Sequence, residues 1–165
     1  MFREMRRSKQ RLSMEDTIDV MNRCTNGIMA CTGDDDYPYA VPLSYAYLNN
    51  KIYFHAGREG HKIDAIMKNP KVSFAVVDKD TIVSKEYTSY FRSVIAFGKA
   101  RIVEGGTGEW REALKAIVDK YSGDQPEEEK LKEIGKGAST QIIRIDIDHM
   151  TGKEAIELVR ARENQ

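Results

Sequence analysis

The residues of this chain that are best suited to chemistry lie in the segment 57–62, which reads Gly-Arg-Glu-Gly-His-Lys. It presents Arg58, His61 and Lys62 where the apolar pattern predicts that a strand ends and a helix begins. Free N–H groups and the dipole at a helix N-terminus attract a phosphate, and basic side chains strengthen that attraction. The residues alone leave two interpretations open: a phosphate site, or an ordinary strand-to-helix loop with solvated charges.

His55 is a second candidate for chemistry. It belongs to the strand predicted over residues 51–56 and alternates away from the face of Phe54. A histidine in such a place can bind a substrate or donate a proton near neutral pH. The alternative is a strand histidine that is simply hydrogen-bonded or exposed.

The sequence has no motif for catalysis by a metal ion, a redox-active cysteine pair or an activated nucleophile. Cys24 and Cys31 have neither metal-site nor redox-motif spacing, and we interpret them as buried thiols. The three histidines are dispersed without clustered acidic residues, so no metal site is predicted. No nucleophile with an adjacent base and no glycine-rich phosphate loop occurs. The pattern therefore indicates a phosphate-tolerant fold in which a cofactor carries the reaction.

The elements that must position these residues are mainly strands. Alternating or continuous apolar runs predict six of them, at residues 28–31, 37–48, 51–56, 71–78, 91–104 and 139–148. Asn49-Asn50 predicts a tight hairpin turn, Pro42 an edge or bulge, and Gly98 a bulge or bend. Helices are predicted after Ser13 and at residues 61–69, 109–121, 127–134 and 151–162, and a polar loop at 79–90.

Short helices between and after consecutive antiparallel strands favour one fold class. The chain is predicted to be a single domain, residues 1–165, that is mainly β with flanking helices and forms a small closed or partly closed barrel. It begins with a basic arm and a helix and ends with a helix. The aromatic residues Tyr37, Tyr39, Tyr45 and Tyr47 line a pocket or form a half-buried strand face. For Trp110, core packing is favoured over a cofactor contact.

Composition excludes several partners. The 26 basic and 26 acidic residues give a formal net charge of zero, which argues against general nucleic-acid binding. The local exception is a basic arm, interpreted as solvated or partner-contacting, with Arg3, Arg6, Arg7, Lys9 and Arg11. No run approaches the roughly 18 apolar residues that a membrane helix needs, and no signal-peptide core follows the arm. We therefore expect a cytoplasmic protein that does not enter a membrane.

Three segments together resemble a known family. They are residues 33–45 (Gly-Asp-Asp-Asp-Tyr-Pro-Tyr-Ala-Val-Pro-Leu-Ser-Tyr), 51–56 (Lys-Ile-Tyr-Phe-His-Ala) and 60–62 (Gly-His-Lys). This combination is similar to the pyridoxamine 5'-phosphate oxidase-like FMN-binding split barrels, and within them to the Nim-type nitroimidazole-resistance branch. The resemblance extends over nearly the whole chain and implies a six-stranded antiparallel split β-barrel.

The resemblance also implies a site. FMN would be bound at the interface of a homodimer, with two sites per dimer and a contribution from residues 91–98 of the second subunit. His61 and Lys62 would hold the phosphate, and His55 would face the substrate side of the flavin. Backbone contacts along the isoalloxazine ring would come from Val41, Pro42, Leu43 and Ser44.

One departure from the family pattern narrows the expected activity. Pyridoxamine-phosphate oxidases usually have arginine where this chain has His61, and they carry an Arg-x-His motif near the C-terminus that this chain lacks. Vitamin B6 oxidation is therefore not expected. The leading hypothesis is an FMN-dependent reductase of a small electrophile such as a nitroaromatic, with NADH or NADPH as donor. The alternatives are a non-catalytic flavin- or haem-binding carrier or sensor, and a structural protein with an empty pocket.

Overall fold

The computed structural model describes residues 2–137 and 140–164. Within these residues, seven strands form one sheet in which every neighbouring pair is antiparallel. The strands are β1 (Asn26–Thr32), β2 (Pro38–Ser44), β3 (Ala46–Leu48), β4 (Lys51–Ala56), β5 (Lys71–Val83), β6 (Thr88–Val103) and β7 (Gln141–Glu154). The α-helices are α1 (Met14–Arg23), α2 (His61–Lys68), α3 (Gly108–Tyr121), α4 (Glu127–Lys136) and α5 (Ile156–Glu163).

The sheet curls into an incomplete barrel. Its strand order is β2-β1-β5-β6-β7-β4-β3, so it starts and ends with two strands that only Tyr45 separates in the chain. The two edges therefore come together, and β2 also approaches β4. The barrel interior is filled by alternate side chains of the strands, among them Met29, Ile52, Phe54, Phe74, Val94 and Ile143. This alternation is the pattern from which the strands were predicted.

A second apolar cluster lies outside the barrel, where α3 packs on the sheet. Tyr53 and Ile142 meet Trp110 and Leu114 there. Trp110 is 5% exposed, and its indole N–H donates to the carbonyl oxygen of Thr140 at 3.0 Å. The prediction that Trp110 belongs to a core is confirmed.

The predicted strand over residues 37–48 is interrupted in the structure, which raises the number of strands from six to seven. Tyr45 lies between β2 and β3, and its side chain is completely buried. The chain passes at this residue from pairing with β1 to pairing with β4. The predicted turn at Asn49-Asn50 is confirmed, with φ of 51° and 59°, and it joins β3 to β4.

The loop predicted at residues 79–90 is wrong. Lys79 to Val83 continue β5 and pair with Thr88 to Arg92 of β6, with only the short 3-10 turn Ser84–Glu86 and Tyr87 between them. Most side chains of this extension are exposed or half-buried on both faces, with Ile82 81% exposed. The segment therefore lacks the alternation of polar and apolar residues that would have indicated strands.

The helix predicted over residues 151–162 is also wrong in its first part. Thr151 to Glu154 continue β7 and pair with β6, and the helix begins only at Ile156. Gly152 lies so close to Leu12 and Thr17 that a Cβ there would meet the Thr17 hydroxyl at 2.5 Å. Ser139, where the sixth strand was predicted to begin, lies outside the described residues.

The irregularity predicted at Gly98 is present. The pairing of β6 with β7 shifts between Phe97 and Gly98, leaving Asp148 of β7 as the extra residue. A Cβ on Gly98 would meet the carbonyl oxygen of Asp146 at 2.2 Å, so only glycine fits. Across the residues that the structure covers, none of the helices combines the length and apolar character needed to cross a membrane.

Candidate functional site

The first part of the candidate site is the N-terminus of α2. Gly60 precedes the helix with φ of 126°, a conformation that favours glycine. Its carbonyl oxygen accepts the N–H of Ile63 at 2.8 Å, but glycine has no side chain with which to cap the first turn. The leading N–H groups of α2 are therefore open to an anion, and the half-buried Lys62 lies beside them.

His61 connects this helix to β2. Its ring stacks on Tyr39 with 4.1 Å between centroids, and its Nε2 accepts the N–H of Asp34 at 3.4 Å. A Cβ on Gly33 would lie 3.0 Å from the same Nε2, so the turn before β2 is in close contact with the histidine. The predicted phosphate residues thus lie next to the start of the predicted flavin strand.

The second part of the site is β2 itself. Val41 and Leu43 face the barrel interior, whereas Pro42 and Ser44 are exposed. One edge of β2 pairs with β1 and, in the part of the chain that is described, no strand pairs with the other edge. The predicted edge position of Pro42 is confirmed. Backbone N–H and C=O groups along the free edge are available to a planar ligand with hydrogen-bonding groups on its rim.

An apolar surface continues from Pro42 across the outside of the barrel. The strand registers place Pro42 opposite Ile28, Ile28 opposite Ala75, and Ala75 opposite Ile95. Phe97 shares the face of Ile95, and Ile28, Ile95 and Phe97 are 39%, 44% and 39% exposed. We call these five residues the outer apolar face. An exposed apolar face of this kind is typical of an interface.

His55 lies on the side of β4 away from the barrel interior. Phe54 and Ala56 point into the core, so His55 shares the face of Tyr53, where α3 packs, and is exposed. The structure therefore brings His61 together with the start of β2, and among the described residues no hydrogen bond or ring stacking joins His55 to either of them. Its proposed role needs a ligand or a second subunit that reaches this face.

Two residues that sequence reasoning missed, Lys120 and Tyr121, reach the end of β2 from α3. Tyr121 hydrogen-bonds to the backbone of Tyr45, and Lys120 lies over the Tyr45 ring. Burial lowers the pKa of Lys120 to about 8. Helical spacing placed Tyr121 at the end of α3, but no local signal connects it to a residue 76 positions away.

Several cavities of the described chain are lined by its N-terminal segment. One of about 410 Å³ lies between Arg11, Met14, Asn50 and the bulge at Asp148. Another of about 220 Å³ lies on the outer apolar face, between Arg3, Phe97 and Lys153. Phe2 stacks on Phe97 with 5.3 Å between ring centroids. Among the residues with described positions, no group of three or more His, Cys, Asp or Glu side chains is arranged to hold a metal ion.

Comparison with known proteins identifies the family. The model of the pyridoxamine 5'-phosphate oxidase family matches residues 14–154, which is most of the chain. An uncharacterized protein of Rhizobium meliloti (strain 1021) is 30% identical over 138 residues, covering 77% of this chain and 82% of the relative. The chain belongs to the pyridoxamine 5'-phosphate oxidase family.

Solved structures agree with this assignment. A candidate 5-nitroimidazole antibiotic resistance protein of Bacteroides thetaiotaomicron has a TM-score of 0.70 at 23% identity, covering 87% of this chain and 86% of that one. A FAD-binding protein of Mesorhizobium loti has a TM-score of 0.60 at 25% identity, covering 88% and 96%. The barrel is the split barrel of this family, and the predicted fold class is confirmed.

Proposed function

We propose that the protein is an FMN-dependent oxidoreductase that reduces a small electrophile such as a nitroaromatic. The observation that carries the proposal is the junction of the open β2 edge with the uncapped N-terminus of α2, where Tyr39 and His61 stack. A free strand edge beside an anion site suits a planar ring that carries a phosphate tail. The FAD-binding protein of Mesorhizobium loti supports a flavin as the ligand, and the candidate 5-nitroimidazole antibiotic resistance protein supports a nitroaromatic as the acceptor.

The residues of this chain fit FMN at that junction. The open N–H groups of α2 and the ammonium group of Lys62 would hold the phosphate, with His61 fixing the loop before β2. The backbone of Val41 to Ser44 would run along the ring, as the family resemblance implies. FMN, when bound, supplies two-electron transfer to an acceptor. His55 would donate a proton to the acceptor as it is reduced.

We propose that the active form is a homodimer in which the outer apolar face is covered by a second copy. Ile28, Ile95 and Phe97 expose apolar surface that one chain leaves in water. The face begins at Pro42, so the contact would close over the predicted flavin strand and would bring residues 91–98 of the second subunit to it. We expect this dimer to work in the cytoplasm.

An anaerobic redox experiment tests the catalytic part of the proposal. The FMN-loaded protein is mixed with NADH or NADPH while the flavin absorption band is followed, and a nitroimidazole is then added. The proposal predicts that one donor bleaches the band, that the acceptor restores it, and that the two-electron nitroso product accumulates, or the six-electron amine product where the donor is in excess. A flavin that is bound but exchanges electrons with neither donor nor acceptor would favour the carrier or sensor function instead.

A further inference from the structure

The pairing of β1 with β2 stops at a tyrosine hydroxyl. The last pair of the ladder is Asn26 with Ser44, and the next pair in register would be Thr25 with Tyr45. The Tyr121 hydroxyl lies between them instead. It accepts the N–H of Tyr45 at 2.7 Å and donates to the carbonyl oxygen of Thr25, with the Tyr45 carbonyl oxygen 3.0 Å away. The hydroxyl therefore takes the place of a direct bond between the two strands.

The side chain of Tyr45 is held by Met21 of α1 and by Lys120, which precedes Tyr121 in α3. Its hydroxyl donates to the carbonyl oxygen of Met21 at 2.9 Å, inside the protein. Lys120 donates to the same oxygen at 3.1 Å, and its Nζ lies 3.9 Å from the centroid of the Tyr45 ring. The last turn of α3 thus holds both the backbone and the side chain of one residue.

Tyr45 is the residue at which the barrel is split. Before it, β2 pairs with β1, and after it, β3 pairs with β4. A hydroxyl inserted between Thr25 and Tyr45 separates the two strands there while keeping the Tyr45 N–H satisfied. The position of the Tyr121 hydroxyl oxygen, which α3 sets, therefore determines the direction of β2 through Ser44 and Pro42.

We propose that Tyr121 is a positioning residue for the cofactor: its hydroxyl fixes the free edge of β2 along which the flavin ring lies. This inference rests on the proposed flavin-binding function and adds a residue to the same site. Tyr121 does not touch the ring. It acts through Tyr45, and a ligand held by several backbone groups is sensitive to small displacements of the strand that carries them.

The test compares two tyrosine-to-phenylalanine variants of the full-length protein. Tyr121→Phe removes the hydroxyl at the split. Tyr53→Phe is the matched control, because the Tyr53 hydroxyl donates to Glu109 at 2.9 Å and so also links α3 to the sheet, but at the other end of the helix. We expect the Kd for FMN to rise at least about fivefold in Tyr121→Phe and to stay within about twofold of wild type in Tyr53→Phe. The visible circular dichroism of bound FMN should change only in Tyr121→Phe.

The inference is overturned if Tyr121→Phe binds FMN with wild-type Kd and dichroism while its Tm falls as far as that of Tyr53→Phe. In that case the hydroxyl only stabilises the fold. If Tyr121→Phe does not fold, Tyr121→Gln replaces it, since this shorter side chain keeps a polar end but draws the bridging atom back from Thr25 and Tyr45. It must then raise the Kd, and an unchanged Kd overturns the inference.

Hydrogen exchange of the cofactor-free protein separates this inference from the proposed function. The amides of Leu43 and Tyr45 should exchange faster in Tyr121→Phe, while those of β5 keep their wild-type rates. If the two proteins differ in this way but the wild-type protein does not bind FMN, the proposed function is overturned. Tyr121 would then remain the residue that positions the end of β2. Equal exchange in both proteins would overturn the positioning role itself.

Discussion

At the scale of single residues, the N-terminus of α2 assigns different roles to its two basic side chains. His61 already has partners within the chain, since it stacks on Tyr39 and accepts the N–H of Asp34. Lys62 is half-buried beside the open N–H groups of the first turn and has no comparable stacking contact among the described residues. Lys62 is therefore the side chain from which we expect the larger direct contribution to binding a phosphate.

Replacing Lys62 tests this assignment. Lys62→Ala should raise the Kd for FMN about tenfold, because a charge-assisted bond to a phosphate is lost. Lys68→Ala is the matched control, since Lys68 lies exposed at the opposite end of the same helix. The Kd for FMN of each variant is measured from the quenching of FMN fluorescence on binding. Equal Kd values in the two variants would show that the phosphate is not held at this end of α2.

His55 is tested by a different readout. His55→Ala should leave the Kd for FMN within about twofold of wild type and lower kcat for nitroimidazole reduction about 100-fold, because a positioned proton donor is removed. A variant that keeps the wild-type rate of nitroimidazole reduction would remove His55 from the reaction.

At the scale of elements, a cluster of charges holds α1 to the long β5–β6 hairpin. Asp78 accepts two bonds from Arg23, at 2.8 and 2.7 Å, and one from Arg92 at 3.3 Å. Arg92 also donates to the fully buried Glu154 of β7. Hydrogen bonds from Arg23 hold the pKa of Asp78 below its usual value despite partial burial. The cluster therefore links the last residue of α1 to β5, β6 and β7.

Asp78→Asn should lower the free energy of unfolding by about 1–2 kcal/mol at neutral pH. The folded-state pKa is lower than the unfolded one, so the stabilisation is present above the ordinary pKa and is lost as the pH falls through the folded value. Urea unfolding should therefore give a difference between wild type and variant at about pH 7 that narrows at about pH 3. Asp80→Asn, an exposed change on the same strand, is the control. A difference that does not change with pH would contradict the ionic account.

The elements also show which parts of the fold the sequence could predict. The Asn49-Asn50 turn, the edge position of Pro42 and the N-terminus of α2 follow from local chemistry, and the structure has all three. The extension of β5 and β6 does not follow, because strands exposed on both faces carry no alternation. The role of Tyr121 does not follow either. It depends on a contact between the last turn of α3 and the end of β2 that only the folded chain brings together.

At the scale of the whole molecule, a single chain leaves apolar side chains exposed on one face of the barrel. The outer apolar face runs from the free edge of β2 to β6, and the N-terminal arm covers part of it where Phe2 stacks on Phe97. A second copy on this face would bury the apolar surface and enclose the predicted cofactor strand. The proposed dimer and the proposed flavin site therefore depend on the same surface.

A charge placed on the face should separate the subunits. Ile95→Glu should weaken the dimer, because the carboxylate would have to be desolvated in the interface. Leu131→Glu is the control, since Leu131 is 55% exposed on α4, away from the face. Analytical ultracentrifugation gives the mass of each. Wild-type protein that sediments as a single chain would contradict the dimer, as would an Ile95→Glu protein that sediments like wild type.

The central claim, that this barrel is a flavoprotein, is tested most directly by the chromophore that the protein carries when it is purified natively. We predict the two-banded visible spectrum of an oxidised flavin, and release of FMN on denaturation as identified by chromatography and mass. A single intense band typical of haem would contradict the claim in favour of the carrier or sensor function. A colourless protein that also fails to bind added FMN would contradict it outright.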